Sequence, residues 1–181
     1  MCNPNPKRTK MENKPEIRIY VACLAAYNNA ILHGEWIEAT QDAWAIYDDI
    51  AKMLKASPIA DAEEWAIHDY EGFEGIRIEE YAGIESVAEK AAFVVEHGRL
   101  GAELVNYYGS LDEARAALED RYHGVYSDLA DYVRGLTEES LDVPAALRFY
   151  IDWQAMARDV EMSGDVFTIQ TAHDEIHVFA Q

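Results

Sequence analysis

The spacing of apolar residues changes along this chain, and that change restricts it to mixed folds. Ile17, Ile19, Val21 and Cys23 alternate with the residues between them, as in a half-buried strand. From Gly83 the apolar residues recur at helical spacing, and the last third contains both patterns. We therefore predict an α+β fold with an α+β N-terminal domain at 16–78, a helical acidic middle domain at 79–122 and an α+β C-terminal domain at 123–181.

The N-terminal domain is expected to place one helix over three strands. Its strands are predicted near 17–23, 35–39 and 65–70. Thr40 is the predicted cap of a helix that ends at Ser57-Pro58. The apolar positions of this helix are Ala43, Ile46, Tyr47, Ile50, Met53 and Leu54.

The rest of the body is expected to be mainly helical. Ser86 to Glu89 and Ser110 to Glu113 both fit a capping box, and Gly98 and Gly109 are suitable helix ends. Further helices are predicted at 127–134 and 144–162. Strand-like segments at 166–169 and 176–179 predict a terminal hairpin.

Charge is the second constraint on this sequence. It contains 34 Asp and Glu against 15 Lys and Arg, which gives a formal net charge of −19. Residues 1–15 lack hydrophobic periodicity and are predicted to be a flexible basic tail, so the body is more negative than the whole. Residues 61–120 are the most acidic part, with sixteen acidic and four basic residues.

These features exclude several classes of function. Direct nucleic-acid binding and binding to anionic membranes both depend on clustered Lys and Arg, which the body lacks. The longest apolar run, Ile19–Ala26, is too short to cross a membrane, and the N-terminus has no secretion signal. Cys2 and Cys23 do not suggest a disulfide framework, so a cytoplasmic location is expected.

Catalytic chemistry has no specific support in the sequence. His173 and His177 are four residues apart, but Asp follows the first where a zinc protease needs Glu, so we interpret them as an ordinary surface pair and predict no metal site. Phosphate loops and serine nucleophile motifs are absent. Adjacent carboxylates such as Glu63-Glu64 are inevitable in so acidic a chain. We expect a protein that is not an enzyme and takes no cofactor.

Composition alone leaves the role of the charge open. General solubility or salt tolerance explains an acidic surface, and from composition it is the favoured explanation. An acidic adaptor for another basic protein and a metal-dependent enzyme using His173 and His177 are further alternatives. A further explanation is that the acidic surface imitates the charge of DNA, since duplex DNA carries about two negative charges per base pair.

Four blocks of sequence help to choose between these explanations of the charge. The longest covers 141–165 and reads LDVPAALRFYIDWQAMARDVEMSGD. Its acidic-Val-Pro entry, aromatic pair and Gly-Asp step resemble the signature of the ArdA antirestriction proteins. Residues 19–37, 64–71 (EWAIHDYE) and the tripeptide Tyr122-His123-Gly124 are similar to other blocks of that family, in the same order. The resemblance covers about residues 17–180 and leaves out the basic tail.

The resemblance implies an elongated, curved homodimer that imitates bent B-form DNA. Such proteins occupy the DNA groove of Type I restriction-modification enzymes and protect incoming plasmid or transposon DNA from restriction. The implied partners are therefore the methyltransferase core of such an enzyme and a second copy of the chain. The predicted mimic surface comprises Asp42, Asp48, Asp49, Glu63, Glu64, Asp69, Glu71, Glu74, Glu79, Glu80, Glu85, Glu89, Glu96, Glu103, Asp112, Glu113, Glu119, Asp120, Asp128 and Asp131.

The signature block lies by the subunit interface in the family. The resemblance therefore assigns seven residues to the dimer contact or its support, with packing inside one subunit as the alternative. These residues are Leu141, Val143, Pro144, Leu147, Phe149, Tyr150 and Asp152.

Overall fold

The computed structural model describes residues 16–181, so the predicted basic tail at 1–15 lies outside the described residues. Helices make up 48% and sheets 22% of the structure, which confirms the α+β class. Contacts divide the chain into two compact units. In the described chain, the first unit contains residues 16–73 and 77–95, and the second contains 74–76 and 96–181. The division into three domains stays a prediction.

The first unit is built on a three-stranded antiparallel sheet. Its strands β1 (Arg18–Cys23), β2 (Gly34–Glu38) and β3 (Trp65–Glu71) lie close to the predicted positions. β1 is the central strand, between β2 and β3. β1 alternates so strongly because Ile19, Val21 and Cys23 are fully buried. The short helix α1 (Leu24–Asn28) follows β1 directly.

Helix α2 (Ala43–Lys55) lies beside this sheet with Ile46, Ile50 and Met53 buried. Its cap is Asp42, whose carboxylate accepts a hydrogen bond from the Ala45 N–H at 3.0 Å. The prediction of Thr40 as cap is therefore wrong. The Thr40 hydroxyl instead donates to the Glu38 carboxylate, which precedes it on the chain.

The predicted helical segment contains helix α3 (Ile84–Tyr108), whose residues are shared between the two units. Ser86 lies inside this helix, so the capping box predicted there is wrong. Gly98 interrupts the helical backbone with φ 55° and ψ −141°, and Gly109 follows its last residue with φ 70°. Both glycines adopt the left-handed φ that other residues avoid.

After the end of α3, the second unit continues with helix α4 (Leu111–Ala116) and a π-helical turn (Ala117–Arg121). Ser110 caps α4 by accepting from the Glu113 N–H at 3.4 Å, as predicted. The strand β4 (Tyr122–Tyr126) follows, which the sequence patterns do not predict. Helices α5 (Leu129–Ser140) and α6 (Trp153–Ser163) come next.

The predicted terminal hairpin is confirmed as β5 (Val166–Ala172) and β6 (Glu175–Ala180). β6 is the central strand, between β4 and β5. One core joins this sheet to α5 and α6 through Val133, Ala157, Val166 and Val178. The N-terminal and C-terminal sheets thus belong to separate units.

The helix predicted at 144–162 is wrong in its first half. Residues 141–152 form turns and a single short 3₁₀ turn (Arg148–Tyr150), and α6 begins only after Asp152. The apolar residues at 147–150 have a spacing compatible with a helix, but they reach no core. Amphipathic spacing stabilises a helix only where its apolar face is buried.

Within residues 16–181, no helix has the length and apolar character needed to span a membrane.

Candidate functional site

The carboxylates of the predicted mimic surface lie on the outside of the protein. No polar or charged residue is classed as buried within residues 16–181. Eighteen of the twenty predicted residues are exposed, and Asp49 and Glu103 are half-buried. Ionised carboxylates remain at the surface because their burial without partners costs several kcal/mol.

Both units carry the negative charge. The described part of the first unit has fifteen acidic and five basic residues, and the second has eighteen and six. The excess is therefore not confined to the predicted middle segment. Each unit by itself presents a strongly negative surface to a partner.

Helices α2 and α3 enclose a groove of about 410 Å³ in the first unit, which we call the α2–α3 groove. Asp42, Glu85 and Glu89 line it together with alanines from both helices. Tyr47, on α2, donates its hydroxyl hydrogen to Glu85 Oε2 at 3.2 Å. Burial and then this carboxylate raise the pKa of Tyr47, so the phenol stays a neutral donor.

A second groove of about 460 Å³ lies beside β3, and we call it the β3 groove. Glu63 and Glu64 line it with Leu24, Trp65 and Tyr81. A hydrogen bond with the neighbouring Glu80 raises the pKa of Tyr81. Both grooves thus combine at least two carboxylates with apolar wall atoms.

Some predicted mimic residues hold cations of the same chain. Asp49 accepts a hydrogen bond from Lys52 Nζ at 2.7 Å, and this contact, followed by one from Gln41, lowers the pKa of Asp49. Glu103 lies 3.5 Å from Arg99 Nε. The two half-buried members of the set are therefore already paired. Other members in ion pairs are Glu71, Glu79 and Glu113.

Three acidic residues of the candidate sites support the fold directly. Asp42, Asp128 and Asp152 cap α2, α5 and α6 by accepting hydrogen bonds from main-chain N–H groups at 2.8–3.0 Å. Such caps contribute about 1 kcal/mol each to stability. Replacing these three changes stability as well as surface charge.

The signature segment lies on the surface of the second unit. Phe149 is 94% exposed and Tyr150 85% exposed, and Leu141, Pro144 and Leu147 are also exposed. Val143 is half-buried, and Asp152 is exposed at the start of α6. Packing inside one subunit does not account for these rings. Beside Phe149 lies a groove of about 420 Å³ that also contains Arg134, Arg148 and Trp153.

The comparison with protein families decides the identity of the chain. The model of the antirestriction protein (ArdA) family matches residues 19–175. The chain belongs to the ArdA antirestriction family. No curated protein matches the sequence. Membership confirms the resemblance of the four blocks, and it means that the protein has an antirestriction function directed at restriction-modification enzymes.

Only His177 of the histidine pair of this ArdA-family protein supports the fold through hydrogen bonds. His177 accepts or donates hydrogen bonds at both ring nitrogens, with Tyr122 at 2.7 Å and Thr171 at 3.0 Å. His173 is almost fully exposed at the hairpin turn beside Asp174. The described chain contains no group of three His, Cys, Asp or Glu side chains arranged to hold a metal.

Sequence reasoning missed the aromatic members of the acidic surface. Trp44 is 82% exposed on α2, and Tyr81 is 71% exposed at the β3 groove. The signal for Trp44 was present, because it falls outside the apolar positions of α2. No spacing could indicate the Tyr47–Glu85 contact, which joins residues 38 positions apart.

Proposed function

We propose that this ArdA-family protein is an acidic DNA mimic that binds the DNA-binding groove of a Type I restriction-modification enzyme. One observation carries the proposal: the acidic residues lie outside the core and extend over both units. A surface needed only for solubility would also explain the charge, but it would give that surface no target. The family's antirestriction function gives that surface a target that itself binds DNA.

The amount of charge is suitable for this role. Residues 19–181 have 32 acidic residues and a net charge of −22. Since DNA has about two negative charges per base pair, one chain equals about sixteen base pairs in carboxylates or about eleven in net charge. Cations in the enzyme groove that normally contact phosphates would contact carboxylates instead. Restriction is blocked because the mimic offers neither bases nor a scissile bond.

The proposal includes a homodimer formed through the signature segment. Phe149 and Tyr150 are large apolar rings left in water by a single chain, and such rings are typical anchors of protein interfaces. A dimer doubles the length of DNA that can be imitated. The protein itself is proposed to make no direct contact with nucleic acid.

A competition assay with duplex DNA tests the mimicry. A purified Type I methyltransferase core is bound to labelled DNA, and the full-length protein is added at several salt concentrations. We expect complete displacement of the DNA and weaker binding of the protein as salt rises, because both ligands use the same cations. Binding that leaves the DNA in place would favour an acidic adaptor, and affinity independent of salt would overturn the phosphate-mimic explanation.

Two variants sharpen this assay. Changing Glu63, Glu64, Glu79 and Glu80 together to Gln should weaken displacement and reduce its salt dependence. Lys55→Gln is the matched control with opposite sign, because it makes the surface more negative and should leave displacement equal or stronger.

A further inference from the structure

The acidic surface of the first unit contains exposed aromatic rings that charge mimicry does not require. Trp44 is the most exposed of the four tryptophans, since Trp36 is 37% exposed and the other two are half-buried. Burial of an indole away from water is favourable, and an exposed indole does not gain this free energy. Its surroundings therefore indicate what could cover it.

A tyrosine ring lies near Trp44 on α2, and two aspartates are close to it along the chain. The ring centroid of Trp44 is 6.4 Å from that of Tyr47, whose hydroxyl donates a hydrogen bond to Glu85. Asp48 follows Trp44 by four residues and therefore lies on the same side of the helix. Asp42 caps the same helix two residues before the ring. The indole thus lies near the acidic residues at the start of α2.

Tyr81 repeats this combination at the β3 groove. The ring is 71% exposed, the neighbouring Glu80 carboxylate raises the pKa of its hydroxyl, and Glu63 and Glu64 line the same groove. Two separate places in one unit thus present an aromatic face together with carboxylates.

We propose that these rings, Trp44 above all, bind arginine side chains of the restriction enzyme. A guanidinium can stack on an aromatic face while its N–H groups donate to carboxylates, and the ammonium of lysine is a weaker match for both. The positive charge of arginine complements the surrounding acidic residues. This inference rests on the proposed function. It adds a contact that duplex DNA does not offer, because the faces of its bases are stacked on one another.

The inference predicts that the ring contributes to affinity by a route that salt does not screen. In the DNA competition assay, Trp44→Ala should weaken displacement by roughly tenfold, which is typical of a partly desolvated cation–π contact. The salt dependence should remain that of the wild type, because no charge is lost. Trp44→Phe should restore most of the affinity because it keeps a ring.

Leu32→Ala is the matched control for loss of exposed apolar surface. Leu32 is 90% exposed in the loop between α1 and β2 of the same unit, so its removal should change displacement less than twofold. Circular dichroism of each variant checks the fold. Equal weakening by Leu32→Ala and Trp44→Ala would overturn the arginine assignment in favour of general apolar contact.

Tryptophan fluorescence gives a second readout. The methyltransferase core should protect Trp44 from acrylamide quenching, and the protection should be absent in Trp44→Phe. The two proposals fail in different ways. If the wild type does not displace DNA, the proposed function fails. If the wild type and Trp44→Ala displace DNA equally well, and if the methyltransferase core does not protect Trp44 of the wild type from quenching, only the inference about Trp44 fails.

Discussion

Replacing Phe149 with alanine should dissociate the proposed homodimer without unfolding the chain. The ring is 94% exposed in one subunit, so almost none of its surface contributes to the stability of that subunit. An aromatic side chain can bury about 150 Å² or more, and loss of about 120 Å² of it at about 25 cal/mol per Å² costs about 3 kcal/mol. In a symmetric dimer the change occurs twice, which gives about 6 kcal/mol.

That cost corresponds to a dissociation constant raised by about ten thousandfold, or by about a hundredfold if only half of each ring is covered. Sedimentation velocity over a dilution series measures it directly. The temperature of unfolding of the isolated subunit should be unchanged, and Leu32→Ala, which removes an equally exposed side chain from the first unit, should leave the dimer intact. A wild-type protein that stays monomeric at all concentrations would refute the reasoning, as would a Phe149→Ala variant that dimerises as tightly as the wild type.

Three further predictions concern single positions. Neutralising one exposed carboxylate should change inhibition of restriction by less than about threefold, because each charge is one among many; loss of inhibition in a folded variant would demand a localised site, and the variants to measure are Glu79→Gln, Glu85→Gln, Glu89→Gln and Asp112→Asn. Gly72→Ala should lower the free energy of unfolding by more than about 2 kcal/mol, because φ is +81° and the new Cβ would lie 2.2 Å from the Glu16 carbonyl oxygen. Gly98→Ala, with φ +55° and open space, should cost only about 1 kcal/mol in the same urea titration, and equal costs would contradict the steric argument. Asp49→Asn should destabilise the protein at neutral pH, because the pKa of Asp49 is lowered in the folded state and its contribution is present above the ordinary value of 3.8. The difference from the wild type should shrink as the pH falls through the lowered pKa, and a difference that persists in acid would exclude the ionised carboxylate as its cause.

The strands were predictable where one face of a sheet is buried. β1 alternates clearly because its inward residues enter a core, and the β5–β6 hairpin is apolar where Val166 and Val178 enter theirs. β4 has no fully buried residue and contains Gly124 at φ 113°, so it carries no such pattern. Its strand conformation depends on pairing with β6, which lies more than fifty residues away in sequence.

The helices show a different limit of sequence reasoning. Thr40 and Asp42 are both residue types that cap helices well, and only the structure shows that Asp42 accepts from the Ala45 N–H while Thr40 donates to Glu38. The helix predicted at 144–162 is wrong at its start, because residues 144–150 are exposed in the described structure and their apolar side chains are not buried in a core.

The candidate site was predictable in composition and not in arrangement. Exposure of the acidic residues follows from the cost of burying charge, and it was expected for nearly all of them. The two grooves depend on which elements pack together. Trp44 and Tyr81 could be recognised as part of the acidic surface only once their exposure and neighbours were known.

The absence of buried acidic residues from 16–181 also affects how such a protein can evolve. Losing one surface carboxylate and gaining another nearby costs little folding free energy, except at the three aspartates that cap helices. The pattern of negative charge can therefore drift by single substitutions, each of which leaves a folded inhibitor. A chain of this kind could follow a restriction enzyme whose own DNA-binding surface is changing, without rebuilding its core.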